Sequence, residues 1–354
     1  MKVSIVVGTR PEIIKMSPVI RECERLKLNY FIVHTGQHYS FNMSGVFFEQ
    51  LELPKPKYNL RVGSGSHAEQ TAKMLMGVEK VLRLERPNIV LVQGDTNTAL
   101  AGALAAAKLR IKIGHVEAGL RSHDRQMPEE VNRVLIDHCS DLLFAPTEGA
   151  RRNLLGEGIS AEKVFTVGNT IVDAVYQNLE IARKRGCCPV EGDYFLATVH
   201  RQENVVDRRR LRGILKGLEM VAERYGAPVI FPAHPRTRRV MESLGIRANG
   251  LEVIEPLDYH NFLMLESRAR LILTDSGGIQ EEACILGVPC VTLRYNTERP
   301  ETLEVGSNIL AGTDPNEIVE KAGIMLERDR NWRNPYGDGT AGRKIVGIVL
   351  GGAV

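Results

Sequence analysis

Acidic side chains stand directly after apolar runs of this sequence, at positions where strands are expected to end. Asp95 follows the run VLVQG, Glu117 follows GHV, and Glu129 and Glu130 open the segment EEVNR. Acids at the ends of buried strands can share proton transfer, because burial and like-charge repulsion separate their pKa values. The alternatives are structural: Asp95 could cap the helix that follows it, and either glutamate could complement a helix dipole. No metal-ligand spacing supports a bound metal here, so we expect none.

Two histidines stand at equivalent places in the second half of the chain, each after a strand-like run. His200 is followed by Arg201, and His234 is followed by Pro235 and Arg236. A histidine beside an arginine suits phosphate recognition or proton transfer. A hydrogen-bonded structural histidine is the alternative interpretation of each.

A glycine-rich segment, TDSGGIQEE (274–282), follows a predicted strand and should open a helix. Ser276 can cap that helix, while Gly277 and Gly278 let backbone amides approach a ligand closely. The N-terminus of a helix then favours a phosphate or pyrophosphate, although an ordinary turn is the alternative. The segment is neither a Walker A loop nor a dinucleotide-binding fingerprint.

The first predicted turn, GTRPE (8–12), has a single glycine and therefore does not match a dinucleotide-binding loop. Arg10 and Lys15 lie beside this turn, where they would suit an anionic ligand or serve as ordinary surface charges. We accordingly expect no nicotinamide, and the motifs indicate no other cofactor.

Short β-branched runs that alternate with helix-length amphipathic segments must position these residues. The apolar runs are nearly continuous, as expected of parallel strands covered on both faces. The predicted strands are Val3–Val7, Tyr30–Val33, Ile89–Val92, Ile111–Val116, Leu142–Ala145, Val164–Val167, Tyr194–Val199, Val229–Phe231, Leu251–Ile254, Leu271–Thr274 and Cys290–Leu293. The pattern, given twice, predicts two doubly wound α/β domains with ligand residues at the carboxyl ends of the strands and a cleft between the domains.

Length and composition exclude several classes of protein. The chain has 354 residues, and its 46 basic and 43 acidic residues leave a formal charge of +3. That balance, with only 5% aromatic residues, argues against a nucleic-acid binder. No apolar stretch reaches about 18 residues and no signal-peptide core is present, so we expect a cytoplasmic protein without a membrane span. The six cysteines lack zinc-site spacing and are interpreted as reduced thiols.

Nine short segments contain residues that could bind a ligand or transfer protons. They run from residue 8 to residue 339, nearly the entire chain. They are GTRPEIIKMSP (8–18), TGQH (35–38), QGDT (93–96), HVEAGLRS (115–122), PEEVNR (128–133), TVHRQEN (198–204), TDSGGIQEEA (274–283), TERPET (297–302) and NPYGDG (334–339). Together, and in this order, they resemble the non-hydrolysing UDP-N-acetylglucosamine 2-epimerases. One such segment would be weak support, whereas nine in register are specific.

The resemblance implies a glycosyltransferase-B-like fold: two Rossmann-like, doubly wound domains that face a cleft, with a C-terminal helix returning to the first domain. The expected boundaries are 1–169 for the N-terminal domain with the carboxylates, 170–338 for the UDP-binding domain, and 339–354 for the returning helix. The predicted helix Ala341–Leu350 would be that last element. The family also suggests a homodimer and a place in the biosynthesis of cell-surface polysaccharides.

The activity that the resemblance implies is inversion of C2 of the sugar, which interconverts UDP-GlcNAc and UDP-ManNAc without hydrolysis. The family's route is elimination of UDP to give 2-acetamidoglucal, followed by re-addition, and it needs an acid, a base and groups that hold the diphosphate. By position, the catalytic carboxylates are Asp95, Glu117 and Glu129, and the catalytic histidine is His200. The residue types alone do not distinguish Glu129 from Glu130.

The resemblance also assigns contacts to the substrate. The nucleotide contacts fall on Arg10, Lys15, Ser276, Gly277, Gly278, Glu282 and Arg299, alongside the substrate-contacting catalytic residues Asp95, Glu117 and His200. Glu282 is placed to accept hydrogen bonds from the ribose hydroxyls. Phe262 and the main chain near Leu257 would border the uracil.

Some bacterial members of the family use a second UDP-GlcNAc as an activator. Gln37, His38 and Gln70 match part of that site, and Arg201 and His234 would join it. Three other functions remain open: a glycosyltransferase of the same fold, a hydrolysing epimerase, and a UDP-sugar sensor without activity. A transferase need not place three carboxylates together, so the acid cluster favours the epimerase.

Overall fold

A computed structural model describes residues 1–36, 41–186, 190–233, 235–243 and 250–352 of the chain. Residue contacts divide the chain into two compact units. Unit 1 comprises Met1–Tyr176 and Tyr336–Val354, and unit 2 comprises Gln177–Pro335. Each unit is described by itself below.

The part of the chain that the structure describes contains thirteen strands, numbered in chain order. They are β1 (Lys2–Val7), β2 (Asn29–His34), β3 (Tyr58–Asn59), β4 (Ile89–Gln93), β5 (Lys112–Val116), β6 (Leu142–Ala145), β7 (Val164–Thr166), β8 (Phe195–Thr198), β9 (Val229–Pro232), β10 (Leu251–Ile254), β11 (Leu271–Thr274), β12 (Cys290–Thr292) and β13 (Asn308–Leu310). All the strands expected from the apolar runs are present. The two that were not predicted, β3 and β13, are edge strands of two and three residues, too short to carry a periodic signal.

The same ranges contain fifteen α-helices. They are α1 (Arg10–Arg25), α2 (Phe41–Gln50), α3 (His67–Glu85), α4 (Asn97–Lys108), α5 (Pro128–Cys139), α6 (Glu148–Gly156), α7 (Thr170–Lys184), α8 (Gln202–Val206), α9 (Arg208–Tyr225), α10 (Pro235–Ser243), α11 (Tyr259–Arg268), α12 (Gly277–Leu286), α13 (Pro300–Glu304), α14 (Pro315–Leu326) and α15 (Ala341–Val349). Helix α7 spans the point at which the contacts divide the two units. None of the helices within the described ranges has the length and apolarity needed to cross a membrane.

Unit 1 contains a seven-stranded sheet with the order β3-β2-β1-β4-β5-β6-β7, and unit 2 a six-stranded sheet with the order β10-β9-β8-β11-β12-β13. All paired strands in the described ranges are parallel. The strand order reverses between β1 and β4 in unit 1 and between β8 and β11 in unit 2. In such sheets, ligands bind beyond the carboxyl ends of the strands at the reversal. Each unit is Rossmann-like, as expected of the glycosyltransferase-B-like fold that the resemblance implied.

The start of α1 shows how the sequence sets these elements locally. The Thr9 hydroxyl accepts the N–H of Glu12, and the Glu12 carboxylate accepts the N–H of Thr9, which together form a capping box. Pro11 lies in the first turn, where its missing N–H has no helical partner to lose. Ile13 and Met16 then point into the core of unit 1 and are at most 1% exposed.

The C-terminal helix α15 packs against α1, so the end of the chain belongs to unit 1. A Cβ atom on Gly342 would lie 2.9 Å from the main-chain carbon of Pro18, which shows how closely the two helices approach. The carboxylate of Asp173 accepts the N–H groups of Ala341 at 3.2 Å and of Gly342 at 2.9 Å, and so caps α15. The predicted return of this helix to the first domain is confirmed.

Candidate functional site

The acids predicted at the ends of β4 and β5 occupy the turns that follow those strands, here named the Asp95 turn (94–96) and the Glu117 turn (117–119). The two strands are neighbours, so both turns leave the sheet at one edge. Glu117 has a φ of +70°, a strained value for a residue other than glycine, and such strain concentrates at functional sites. Asp95 does not cap the next helix, because the Thr96 hydroxyl accepts the N–H of Ala99 at 3.1 Å and takes that role.

Each of these two acids is paired with a cation from a different helix. The Nζ of Lys15 on α1 donates to Oε2 of Glu117 at 2.5 Å, and the two side chains are 11% and 10% exposed. The guanidinium of Arg133 on α5 donates to the carboxylate of Asp95, whose side chain remains 34% exposed. Neither pair was predicted: Lys15 was expected to meet an anionic ligand or to be an ordinary surface charge, and Arg133 was assigned no role. The pairs determine where the two carboxylates point.

The adjacent acids of α5 have different surroundings. The Glu130 carboxylate is buried and accepts the main-chain N–H groups of Ser122 and His123, both at 2.9 Å, and the guanidinium of Arg133 at 2.7 Å. Burial alone would raise the pKa of Glu130, but these bonds outweigh it and lower the pKa below its ordinary value. Glu129 is exposed, and its carboxylate has no hydrogen bond or ion pair with the described residues. Glu130 is therefore committed to holding the loop before α5, and Glu129 is available to a ligand.

Glu12 closes the turn between β1 and α1 and joins it to the Asp95 turn. Its buried carboxylate accepts two main-chain N–H groups of its own turn, at 2.7 and 2.9 Å, and the hydroxyl of Thr96 at 2.6 Å. Burial raises the pKa of Glu12 to about 7, although these hydrogen bonds oppose the shift. Arg10 on the same turn is exposed, with its guanidinium 5.4 Å from the centre of the Phe47 ring.

A buried network that the sequence analysis missed lies between the two acid-bearing turns. The Nδ1 of His115 is 2.6 Å from Oδ1 of Asp137, and its Nε2 is 2.9 Å from the carbonyl oxygen of Gly94. The other oxygen of Asp137 accepts the N–H of Gly119 at 3.1 Å and the guanidinium of Arg121 at 2.7 Å. Burial would raise the pKa of Asp137, but His115 and Arg121 lower it below its ordinary value. The presence of His115 and Arg121 in the motif HVEAGLRS was the available signal.

In unit 2, His200 is oriented by a buried acid. The Nδ1 of His200 lies 3.1 Å from Oδ1 of Asp275, which is 0% exposed, while the imidazole itself is 53% exposed. Asp275 also accepts the main-chain N–H of Arg201 at 3.0 Å and the side-chain amide of Asn204 at 3.1 Å. Burial would raise the pKa of Asp275, but these bonds outweigh it and the pKa is lowered. Asp275 was not predicted, although it follows β11 directly, the same signal that pointed to Asp95.

The arginines predicted to bind the ligand are paired with acids of unit 2. Glu298 accepts Arg294 at 2.8 and 2.9 Å and Arg201 at 3.4 Å, and the Arg294 hydrogen bond is the main cause that lowers the pKa of Glu298 to about 2. The Nε of Arg299 lies 2.6 Å from Oε1 of the buried Glu281. The Arg299 guanidinium and the Glu298 carboxylate both lie within 4.0 Å of the Cβ position of Gly277, so these pairs lie near the start of α12.

The start of α12 has the geometry expected of an anion-binding turn. The Ser276 hydroxyl accepts the N–H of Ile279 at 3.5 Å and caps the helix, as predicted. Apart from atoms of its own helix turn and its chain neighbours, a Cβ atom on Gly277 would come no closer than 3.8 Å to the described residues, and one on Gly278 no closer than 3.9 Å. Neither glycine has a positive φ. The described part of the fold therefore does not require glycine at either position.

Glu282 lies on the next turn of α12. Its carboxylate accepts the hydroxyl of Tyr259 at 3.1 Å. Behind it, Glu266 is fully buried, and burial together with the negative charge of Glu282 raises the pKa of Glu266 well above its ordinary value. Leu257 and Phe262, predicted to border a base, are partly buried against an apolar cluster of unit 2.

Part of the predicted activator site cannot be described. Gln37, His38 and His234 lie outside the described residues. Gln70 on α3 donates to the main-chain carbonyl of Gly63, before the helix, at 3.1 Å and accepts the amide of Asn97 at 3.4 Å. No group of three or more His, Cys, Asp or Glu side chains in the described ranges is arranged to hold a metal ion.

Comparison with known proteins gives a consistent result. A family model described as UDP-N-acetylglucosamine 2-epimerase matches residues 21–350. The UDP-N-acetylglucosamine 2-epimerase of Methanocaldococcus jannaschii is 56% identical over 99% of this chain and 100% of its own length. A crystal structure of that protein in complex with UDP-GlcNAc and UDP superposes with a TM-score of 0.88 over 99% of this chain and 100% of the other.

Two more distant proteins are also similar to this chain. The UDP-2,3-diacetamido-2,3-dideoxy-D-glucuronate 2-epimerase of Pseudomonas aeruginosa is 44% identical over 98% of both chains. A calicheamicin glycosyltransferase shares 13% identity over 99% of this chain and 98% of its own, with a TM-score of 0.62, and this likeness concerns the fold alone.

Proposed function

Because the chain belongs to the UDP-N-acetylglucosamine 2-epimerase family, we propose that it inverts C2 of UDP-GlcNAc to give UDP-ManNAc, reversibly and without hydrolysis. The 56% identity to a full-length epimerase of that name supports the substrate. The site residues support a route that follows from the chemistry of the sugar.

The proton on C2 is not acidic, because no carbonyl group is attached to that carbon. In the proposed route a base removes this proton, the electron pair of the C–H bond forms a C1=C2 double bond, and the C1–O bond breaks. UDP leaves as an anion and 2-acetamidoglucal remains. Return of UDP to C1, with a proton delivered to the opposite face of C2, completes the inversion with no net oxidation and no cofactor.

The observation that carries this proposal is that proton-transfer groups lie at the strand-order reversal of both sheets. In unit 1, Asp95 follows β4 at the reversal, Glu117 follows the neighbouring strand β5, and Glu129 is the exposed acid of α5. In unit 2, His200 follows β8 and is held by the buried Asp275. We assign proton transfer at C2 to the carboxylates and assistance of UDP departure to His200.

The start of α12 suits the nucleotide. The N–H groups around Gly277 and Gly278 can donate to a diphosphate at the positive end of the helix dipole, and Arg299 is nearby. Glu282, one turn further along, is placed to accept ribose hydroxyls. The residues at the uracil would be Phe262 and the main chain near Leu257.

A second candidate substrate follows from the Pseudomonas aeruginosa relative. That protein is named for a UDP-2,3-diacetamido-2,3-dideoxy-D-glucuronate and is still 44% identical over almost the whole chain. Both named substrates are UDP-linked sugars epimerised at C2, so the same acids and the same diphosphate contacts would serve either. The higher identity to UDP-GlcNAc epimerases favours UDP-GlcNAc.

Proton NMR of the purified protein with UDP-GlcNAc in D₂O tests the proposal. We expect UDP-ManNAc with deuterium at C2, and deuterium entering the remaining UDP-GlcNAc. Free ManNAc with UDP would instead establish the hydrolysing reaction. An unchanged spectrum with bound ligand would contradict epimerisation and favour a transferase or a sensor. Turnover of the UDP-linked diacetamido glucuronate but not of UDP-GlcNAc would show that the former is the substrate.

Three variants test the assignment of roles. Asp95→Asn, Glu117→Gln and His200→Asn should each lower kcat about 10²–10⁴-fold, as expected when a general acid or base is lost. UDP binding, measured by calorimetry, should be retained in the two unit 1 variants. Near wild-type turnover in all three would show that other groups move the protons.

A further inference from the structure

The Asp95 turn and the Glu117 turn are bonded to the same buried pair, His115 and Asp137. The Nε2 of His115 lies 2.9 Å from a main-chain carbonyl oxygen of the Asp95 turn. Oδ2 of Asp137 accepts the N–H of Gly119 in the Glu117 turn at 3.1 Å. The two side chains are 2.6 Å apart and both are 0% exposed. One ion pair therefore connects the two loops that carry the proposed acids.

Both ring nitrogens of His115 face groups that can accept a hydrogen bond. One ring nitrogen faces a carbonyl oxygen and the other faces a carboxylate oxygen, and both partners only accept. A neutral imidazole has a single N–H, so only the imidazolium donates in both directions. Asp137 is a matching anion, since it also binds the Arg121 guanidinium at 2.7 Å and its pKa is lowered.

We propose that the His115–Asp137 ion pair is a positioning device that sets the separation of the two acids used in the proposed reaction. The inference rests on the proposed function, because it assumes that Asp95 and Glu117 exchange protons with the substrate. Neither member of the pair is needed to touch substrate. A shift of about 1 Å in a reacting group can cost about 100-fold in rate, so such a connection has a large effect on turnover.

The strained backbone of Glu117 supports this role. A residue other than glycine holds a φ of +70° only where its surroundings over-determine the conformation. Here the N–H groups of Glu117 and Ala118 both donate to the carbonyl oxygen of Phe144 at 3.1 Å, and Asp137 holds the N–H of Gly119. Loss of the ion pair removes one of these restraints and leaves the turn free to relax.

The test compares His115→Gln and Asp137→Asn with the wild-type enzyme. A glutamine at position 115 can still donate to the Asp95 turn but no longer pairs with Asp137. We expect kcat for C2 epimerisation to fall about 10- to 100-fold in His115→Gln and by a similar factor in Asp137→Asn, while KM and the Kd for UDP stay within about twofold. The double variant should lose no more than the worse single variant, because the two side chains act as one unit.

Asp141→Ala provides a matched control. Asp141 accepts the N–H of Ile113 at 2.9 Å at the opposite end of β5, so its loss weakens the strand without touching either turn. This variant should lower Tm and leave kcat unchanged. A His115→Gln enzyme with wild-type kcat, or with kcat and UDP binding lost together, would overturn the positioning role. Absence of C2 exchange in the wild-type protein would instead remove the proposed function.

Discussion

At the scale of single residues, Glu129 and Glu130 show how adjacent acids take different roles. Glu130 is 4% exposed and receives donors from the loop before α5, so its charge is used to hold that loop. Glu129 leaves the same helix turn toward solvent. The residue types are identical, so only the surroundings separate a structural acid from one that can serve a substrate.

The two glutamates provide a matched pair of variants. Glu130→Gln should lower the free energy of unfolding by about 1–3 kcal/mol, because a charged acceptor in a buried set of hydrogen bonds is lost. Glu129→Gln should leave stability unchanged and lower kcat. Urea unfolding and the NMR exchange assay measure the two effects. A stable Glu130→Gln protein beside a destabilised Glu129→Gln protein would reverse the assignment.

At the scale of the element, the first turn of α1 makes a pH-dependent contribution to the free energy of unfolding. Burial raises the pKa of Glu12 from 4.5 to about 7 in the folded protein. The folded state therefore binds the proton more tightly than the unfolded state, so the stability from this group is complete below pH 4.5 and is lost as the pH rises through 7.

Replacing Glu12 by glutamine tests this sign. Between pH 5 and pH 7.5 the free energy of unfolding of the wild-type protein should fall relative to that of Glu12→Gln, by an amount on the order of 3 kcal/mol. Urea titrations of both proteins at the two pH values measure the difference. Parallel pH profiles would show that Glu12 keeps an ordinary pKa.

The contact between α15 and α1 gives a second prediction at this scale. Gly342→Ala places a Cβ atom 2.9 Å from the Pro18 main chain and should lower the free energy of unfolding by about 1–3 kcal/mol. Gly347→Ala in the same helix meets no described atom within 4 Å and should raise it by up to about 1 kcal/mol. Thermal unfolding distinguishes them, and equal shifts would mean that the helices do not approach closely.

At the scale of the whole molecule, the proposed reaction draws on both units. Unit 1 carries the acids, and unit 2 carries His200, the capped glycine turn and Glu282. An expectation of cytoplasmic location follows from composition and stays a prediction. Activation by a second UDP-GlcNAc and assembly into a homodimer are also predictions at this scale.

The activator is tested by the reverse reaction. With pure UDP-ManNAc the enzyme should turn over slowly at first and accelerate as UDP-GlcNAc forms or is added. Reaction progress by NMR shows the lag. Immediate full activity without added UDP-GlcNAc would contradict activation.

The homodimer is tested by the mass of the protein in solution. Light scattering of the full chain should give twice the subunit mass of 39.3 kDa. The measurement is made with and without UDP, since a ligand that binds one assembly preferentially shifts the equilibrium. A monomer under both conditions would contradict the prediction.

The residues alone were enough to predict the parallel strands, the polar turns after them, the Ser276 cap and the family. These features are local: apolar runs, capping residues and motif letters act over a few neighbouring positions. That is why the turns carrying Asp95, Glu117 and His200 could be placed. It is also why the alternative interpretation of Asp95 as a helix cap was wrong by only one residue, since the cap is Thr96.

The surroundings of those side chains could not be predicted in the same way, because they depend on the three-dimensional fold. Lys15 pairs with Glu117 from 102 positions away, and the His115–Asp137 pair bridges two turns. Such partners depend on which strands are neighbours and on how deeply each carboxylate is buried. A buried charge needs a partner, and the fold can supply that partner from any distance along the chain. Such a long-range pair produces no local pattern in the sequence.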